Sequence, residues 1–174
     1  MNEAYQNFKS WYVHVLEGLY EDRDAGFAIL MISIPLLERY LREKRGSYER
    51  NLNDTFYDQM QKKFSELTSQ ELCKQFWQVY RNGLLHQVTI SKRNMKGIKM
   101  PVGWLSHDVP MLKIDKDGSF GVHPVKFSRR IICIIENDFS TFFGEHSKNH
   151  PLPVEHQTMS MLGTSVPGSL DGKG

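Results

Sequence analysis

The chain has 174 residues, 40% of them hydrophobic and 24% charged, with a formal net charge of +2. That balance describes a domain with enough apolar residues to bury a core, and it excludes a disordered polyelectrolyte. A membrane span is excluded as well, because the longest apolar run, Phe27 to Leu37, falls short of the ~18 residues needed and contains Pro35.

Tyr5, Phe8, Tyr12, Val15, Leu16 and Leu19 recur at three- and four-residue spacing, so Glu3 to Tyr20 reads as a helix with one apolar stripe. His14 falls at the edge of that stripe and reads as an ordinary histidine. Asp22 or Asp24 is placed to cap a second helix, from Asp24 to Lys44. Its expected buried side is Phe27, Leu30, Met31, Ile34, Leu37, Tyr40 and Leu41. Pro35 predicts a kink rather than an end, since the stripe resumes after it. The charge run Glu38 to Arg45 reads as a solvated face, except that Glu38 has apolar neighbours and could reach a buried arginine. Gly46 stops the helix.

A third helical segment lies within Asn51 to Leu67, with Phe56, Met60, Phe64 and Leu67 as its stripe and Asp54 as its cap. Thr68-Ser69-Gln70-Glu71 is a capping-box pattern that starts the next helix, whose core face is Leu72, Phe76, Val79, Tyr80 and Leu84. From residue 99 to residue 125 the periodicity shifts towards two. Asp115-Lys116-Asp117-Gly118 is a strong turn signal there, so this stretch predicts a β-hairpin inserted between helices. His107, Asp108 and His123 lie in it, but their spacing fits no closed metal pattern. Ser128 to Phe143 predicts a last helix, capped by Ser128 and ended by Gly144. His146 and His150 are separated from any helical face by Gly144 and Pro151. Taken together, the expected fold is mainly α, an antiparallel bundle of four to five helices over residues 1–146, with residues 147–174 as a tail.

The N-terminal MNEAYQNFKSWY is polar where a secretory signal would be basic and then apolar, so a cytoplasmic location is expected. Cys73 and Cys133 both lie in apolar patterns and read as small buried hydrophobes rather than as a disulfide.

Charge resolved along the chain is more informative than its sum. Leu72 to His107 contains no Asp or Glu but holds Lys74, Arg81, Lys92, Arg93, Lys96 and Lys99. A basic block of this kind is the footprint of a polyanion partner, or else a solvated loop. It begins at Arg81-Asn82-Gly83-Leu84-Leu85-His86, where a cation and an imidazole interrupt an apolar helix. Histidine can take a proton from a ribose 2′-hydroxyl, and the arginine fork can bind phosphate oxygens as charge builds on them. Asn82 would orient the phosphate or His86. None of these roles needs a cofactor or a metal. The plainer alternative pairs Arg81 with Glu38 and leaves His86 to cap the helix end. Residues five apart on a regular helix are rotated by about 140°. Cooperation of Arg81 with His86 therefore needs a bend at Gly83, a helix end before His86, or a second subunit.

RNGLLH resembles the R-x4-H motif of the HEPN superfamily (higher eukaryotes and prokaryotes nucleotide-binding domains), with Asn82 as the polar residue after the arginine. The helical order from Glu3 to Phe143 is similar too. The resemblance implies a metal-independent endoribonuclease that acts as a homodimer with two motifs in one cleft. Arg81, His86 and Asn82 would form its site, Lys92, Arg93, Lys96 and Lys99 would hold RNA, and a protein antitoxin or regulator would be a possible partner. Other members of the superfamily are non-catalytic modules that bind RNA, a nucleotide or a protein. The chain departs from the pattern in the inserted hairpin at 99–125.

Overall fold

Phe8, Val13 and Leu16 face inward along the first helix, α1 (residues 3–19), a spacing that a regular α-helix does not give. The computed structural model, which describes residues 3–46, 52–84 and 102–143, shows the reason. Lys9–Val13 is wound as a π-helix between the α-helical stretches Glu3–Phe8 and His14–Leu19, and the His14 N–H bonds back to the Lys9 carbonyl. A π turn accommodates an extra residue, so the face rotates. Val13 turns inward, and Val15, expected in the stripe, is 45% exposed beside Trp11 at 50%.

The second helix, α2 (Gly26–Arg45), runs through Pro35 without ending and stops at Gly46. Asp22 caps the 3-10 turn Arg23–Ala25 before it, accepting the Asp24 N–H at 2.8 Å. The buried face of α2 is Ile29, Leu30, Ser33, Ile34, Leu36, Leu37, Tyr40 and Leu41. Phe27 and Met31, expected inside, are exposed. Ile29, Ser33 and Leu36 take their place, because α2 is the central rod and touches α1 and every later helix.

The third helix, α3 (Asp54–Lys63), is capped by Asn53, whose carboxamide oxygen accepts the Phe56 N–H at 3.2 Å; the expected cap, Asp54, is already the first helical residue. Phe64 and Leu67 are buried beyond its end. Helix α4 (residues 70–84) starts at Ser69, which accepts the Leu72 N–H at 3.2 Å, and passes from the α-helical Gln70–Trp77 into a second π-helical stretch, Gln78–Gly83.

Three short strands follow: β1 (Gly103–Leu105), β2 (Leu112–Ile114) and β3 (Phe120–Val122). β2 and β3 are antiparallel across the turn at Asp115–Gly118, where Gly118 has φ +80°. β1 pairs parallel to β3 on its other edge, so the segment is a three-stranded sheet of order β1-β3-β2 rather than a lone hairpin. Gly121 sits under the Trp104 ring, where a Cβ would lie 2.5 Å from the indole.

Helix α5 (Pro124–Glu136) begins before the expected Ser128. His123 is its cap, with Nδ1 accepting the Lys126 N–H at 3.4 Å, and Pro124 presets the first turn. Ser128 is buried in the helix interior, where its hydroxyl meets those of Ser33 at 2.7 Å and Tyr20 at 2.8 Å. The expected single helix to Phe143 is interrupted at Asn137 and Asp138, after which α6 (Phe139–Phe142) completes it. Asp138 accepts hydrogen bonds from Tyr40 at 2.9 Å and Thr141 at 2.7 Å and pairs with Lys44 at 2.7 Å, which fixes the break.

The core joins these elements through aromatic rings. Phe127 of α5 stacks on Phe64 at 5.1 Å and lies 5.5 Å from Phe76 of α4, which meets Phe120 of β3 edge-on at 5.8 Å. All four are fully buried, and each such side chain contributes about 1.5–3 kcal/mol through burial. Cys73 is buried as expected, but Cys133 is exposed and both thiols are free. Among the described residues no helix is long and apolar enough to cross a membrane.

Candidate functional site

Arg81 lies on the π-helical stretch of α4, and Glu38 comes up to it from the middle of α2. Arg81 Nε donates to Glu38 Oε2 at 2.9 Å, and Arg81 Nη2 lies 3.4 Å from Glu38 Oε1. One helical turn along α2, Arg42 donates to the same Oε1 through Nε at 2.9 Å and Nη2 at 2.8 Å. Two guanidinium groups thus converge on one carboxylate that is 13% exposed. Burial raises the Glu38 carboxyl, but the hydrogen bonds and charges of Arg81 and Arg42 outweigh burial and hold it below the ordinary carboxylate value.

The helix does not break at Gly83. Leu84 remains helical, and its N–H bonds to the carbonyls of Tyr80 and Arg81, so the winding widens over Gln78–Gly83 and then closes again. The wider turn keeps Val79, Tyr80 and Leu84 buried while Arg81 and Asn82 face outward. Asn82 is exposed, and its Oδ1 accepts from Arg81 Nη1 at 3.3 Å. These side chains, with Tyr57 and Trp77, line a cleft of about 380 Å³. The Trp77 indole Nε1 is buried there without a hydrogen-bond partner among the described residues.

The residue before Arg81 ties the site to the sheet. The Tyr80 hydroxyl donates to the Phe120 carbonyl at 2.7 Å or the Trp104 carbonyl at 3.0 Å, and accepts the Trp104 N–H at 3.2 Å. The sheet is therefore fixed to the π turn that carries Arg81.

Of the residues singled out by the sequence, Arg81 and Asn82 are brought together at this cleft. His86 and the basic residues Lys92, Arg93, Lys96 and Lys99 lie outside the described residues, as do His146, His150 and the tail. Lys74, in the acid-free stretch ahead of Arg81, pairs with Asp54 at 3.0 Å. The His107 and His123 rings meet edge-on at 5.1 Å, and His107 Nε2 lies 3.2 Å from the Arg23 carbonyl. Among the described residues no three His, Cys, Asp or Glu side chains come together as a ligand set.

Arg42, Tyr57 and Trp77 were not singled out as site residues by sequence. Arg42 belongs to a charge run that reads as solvated, and the aromatics fit the apolar pattern. The one available signal was Glu38, a carboxylate among apolar residues. No family model matches the chain, and neither a curated protein nor a solved structure matches it.

Proposed function

We propose that this protein is a metal-independent endoribonuclease of the HEPN kind, built on an antiparallel bundle of four to five helices and working as a homodimer. The observation that carries the reading is the position of Arg81. It stands with Asn82 on a π-helical turn, at the wall of a charged cleft. Such turns are common at functional sites. In this reading Arg81 binds the scissile phosphodiester and stabilises the charge that develops on it. His86 takes the proton of the 2′-hydroxyl, and one proton is returned to the leaving 5′-oxygen by His86 or by the same histidine of the second subunit. The 2′-oxygen attacks phosphorus as the bond to the 5′-oxygen breaks, which gives a cyclic phosphate without water or redox change. Lys92, Arg93, Lys96 and Lys99 supply the flanking charge for RNA. A protein antitoxin would restrain such an activity, and both partners fit a cytoplasmic location.

The test is cleavage of single-stranded RNA by purified full-length chain in excess chelator. Arg81→Ala and His86→Ala should each lower the rate by about 100-fold or more. Equal activity in wild type and both variants, or no cleavage by wild type, overturns the reading.

A second reading, a non-catalytic binding module of the same fold, is favoured by the Arg81–Glu38 pair, since a structural ion pair uses the arginine without any substrate. It predicts RNA binding that Lys92→Glu and Lys96→Glu weaken, with no cleavage by wild type.

A further inference from the structure

We propose that Trp77 and Asn82 form a nucleobase subsite of this cleft, in which the Trp77 indole N–H donates to a base carbonyl, so that uracil, cytosine or guanine is taken in preference to adenine. The subsite rests on the reading of the cleft as an RNA site and gives that reading a base preference.

The Trp77 side chain is 2% exposed, and its Nε1 has no hydrogen-bond partner among the described residues. A buried donor in that state is costly, and a native structure keeps one where something else satisfies it. The indole is held in place, since the Phe56 ring meets it edge-on at 5.0 Å. Its surroundings are aromatic and apolar, with Tyr57 and Leu52 on the same cleft. An uncharged acceptor suits such a place better than an anion, whose desolvation would be large. Of the four RNA bases, adenine alone has no carbonyl oxygen.

The winding of α4 brings Asn82 to the same wall. Residues five apart on an α-helix are rotated by about 140°. A π turn closes on the fifth residue, so Asn82 returns to the side of Trp77 across the π-helical stretch Gln78–Gly83. Both side chains line the cleft, whose volume of about 380 Å³ is that of a small-molecule site. Nε1 is sealed from water, so a base reaches it only when a lining side chain yields. Asn82 can do so, because it is exposed and its bond to Arg81 is 3.3 Å long. Its amide nitrogen is then a second donor beside the indole, and bases in single strands are read by such contacts.

Oligodeoxyuridine and oligodeoxyadenosine lack the 2′-hydroxyl, so they report base recognition without cleavage. Full-length wild type should bind the first about 10- to 100-fold more tightly, the effect of leaving one buried donor unmatched. Trp77→Phe keeps a ring but loses the N–H, and it should bring the two affinities to within about threefold of each other by weakening the uridine complex. A merely structural role would lower both affinities alike. If Trp77→Phe does not fold, the indole resonances of the ¹⁵N-labelled wild type give the same reading. Of the three, the Trp77 N–H should be slowest to exchange with deuterated solvent, and oligodeoxyuridine but not oligodeoxyadenosine should shift it downfield. Equal wild-type affinities, a preference that survives in Trp77→Phe, a resonance that uridine leaves in place, or no binding by wild type overturns the proposal. A Trp77-dependent preference without RNA cleavage overturns the nuclease reading alone, and cleavage without preference overturns the subsite alone.

Discussion

Tyr80 stands where the helical and sheet parts of the molecule are joined, and its hydroxyl is the joining group. It is fully buried, and its polar partners are two main-chain carbonyls and one N–H. Tyr80→Phe keeps the tilted ring contact with Phe76 at 4.7 Å but leaves those groups short of a partner. An unsatisfied buried group costs about 1–3 kcal/mol, so the variant should lose that much stability in urea. Amide exchange at Trp104 should quicken in the same variant, because its N–H donates to the phenol. A loss of stability without faster exchange at Trp104 would place the defect elsewhere. The same reasoning applies at Glu38, but there the partners are charges, and removing the carboxylate leaves two cations facing each other.

At the level of elements, the sheet depends on the contact between Gly121 and Trp104. A methyl group on residue 121 would meet the indole at 2.5–2.8 Å, too close for any ordinary contact. Gly121→Ala should therefore destabilise the fold by about 1–3 kcal/mol. Trp104→Ala should cost stability too, but the double variant should be less damaged than the sum, since the smaller residue makes room for the methyl. Strict additivity in a denaturant series would contradict the contact. Elements of this kind were partly legible in the sequence. Asp22 is legible as a cap because a short acceptor side chain at a helix start leaves a local signal, and the capping-box stretch Thr68–Glu71 marks the start of α4, although Ser69 is the residue that caps it. The turn at Asp115–Gly118 is visible because Gly118 supplies the positive φ. The π turns in α1 and α4 left no such signal. They add a residue to the repeat, so a stripe read at helical spacing misplaced Val15 and missed Val13. Phe27 and Met31 were misplaced because several elements pack on α2, and its buried face is chosen by those neighbours. Ser128 has the local signature of a cap, an isolated serine before an apolar run. Its role as a buried hydroxyl partner depends on Ser33 and Tyr20, which are distant in sequence. For the site, Arg81 and Glu38 were legible as a pair, while Arg42 was hidden in a charge run.

The whole molecule carries a set of ionisable groups whose folded environment opposes ionisation change in both directions. Glu38 and Asp138 are each raised by burial, but their cationic and hydrogen-bonding partners outweigh it and hold both below their ordinary values of 4.5 and 3.8. A depressed carboxyl contributes stability that is present above its unfolded value and is lost as pH falls through the folded one. Thermal melts should therefore be level near neutrality and fall below about pH 4.5, and Glu38→Gln or Asp138→Asn should flatten that fall. A steep fall that persists in both variants would show that other groups cause it. At the alkaline end the phenols act in the opposite sense. Burial raises Tyr20, Tyr40, Tyr57 and Tyr80 above the ordinary value of 10.0. Their contribution is complete below that value and is lost as pH rises towards the folded one. These four are more than half of the seven tyrosines in the chain. In ultraviolet difference spectra, phenolate absorbance should rise in two stages, first from the accessible rings and then in one step as the fold opens. Tyr40 touches Asp138, Tyr20 touches Ser128, and Tyr80 touches the sheet, so the second stage reports on three separate junctions without any added dye.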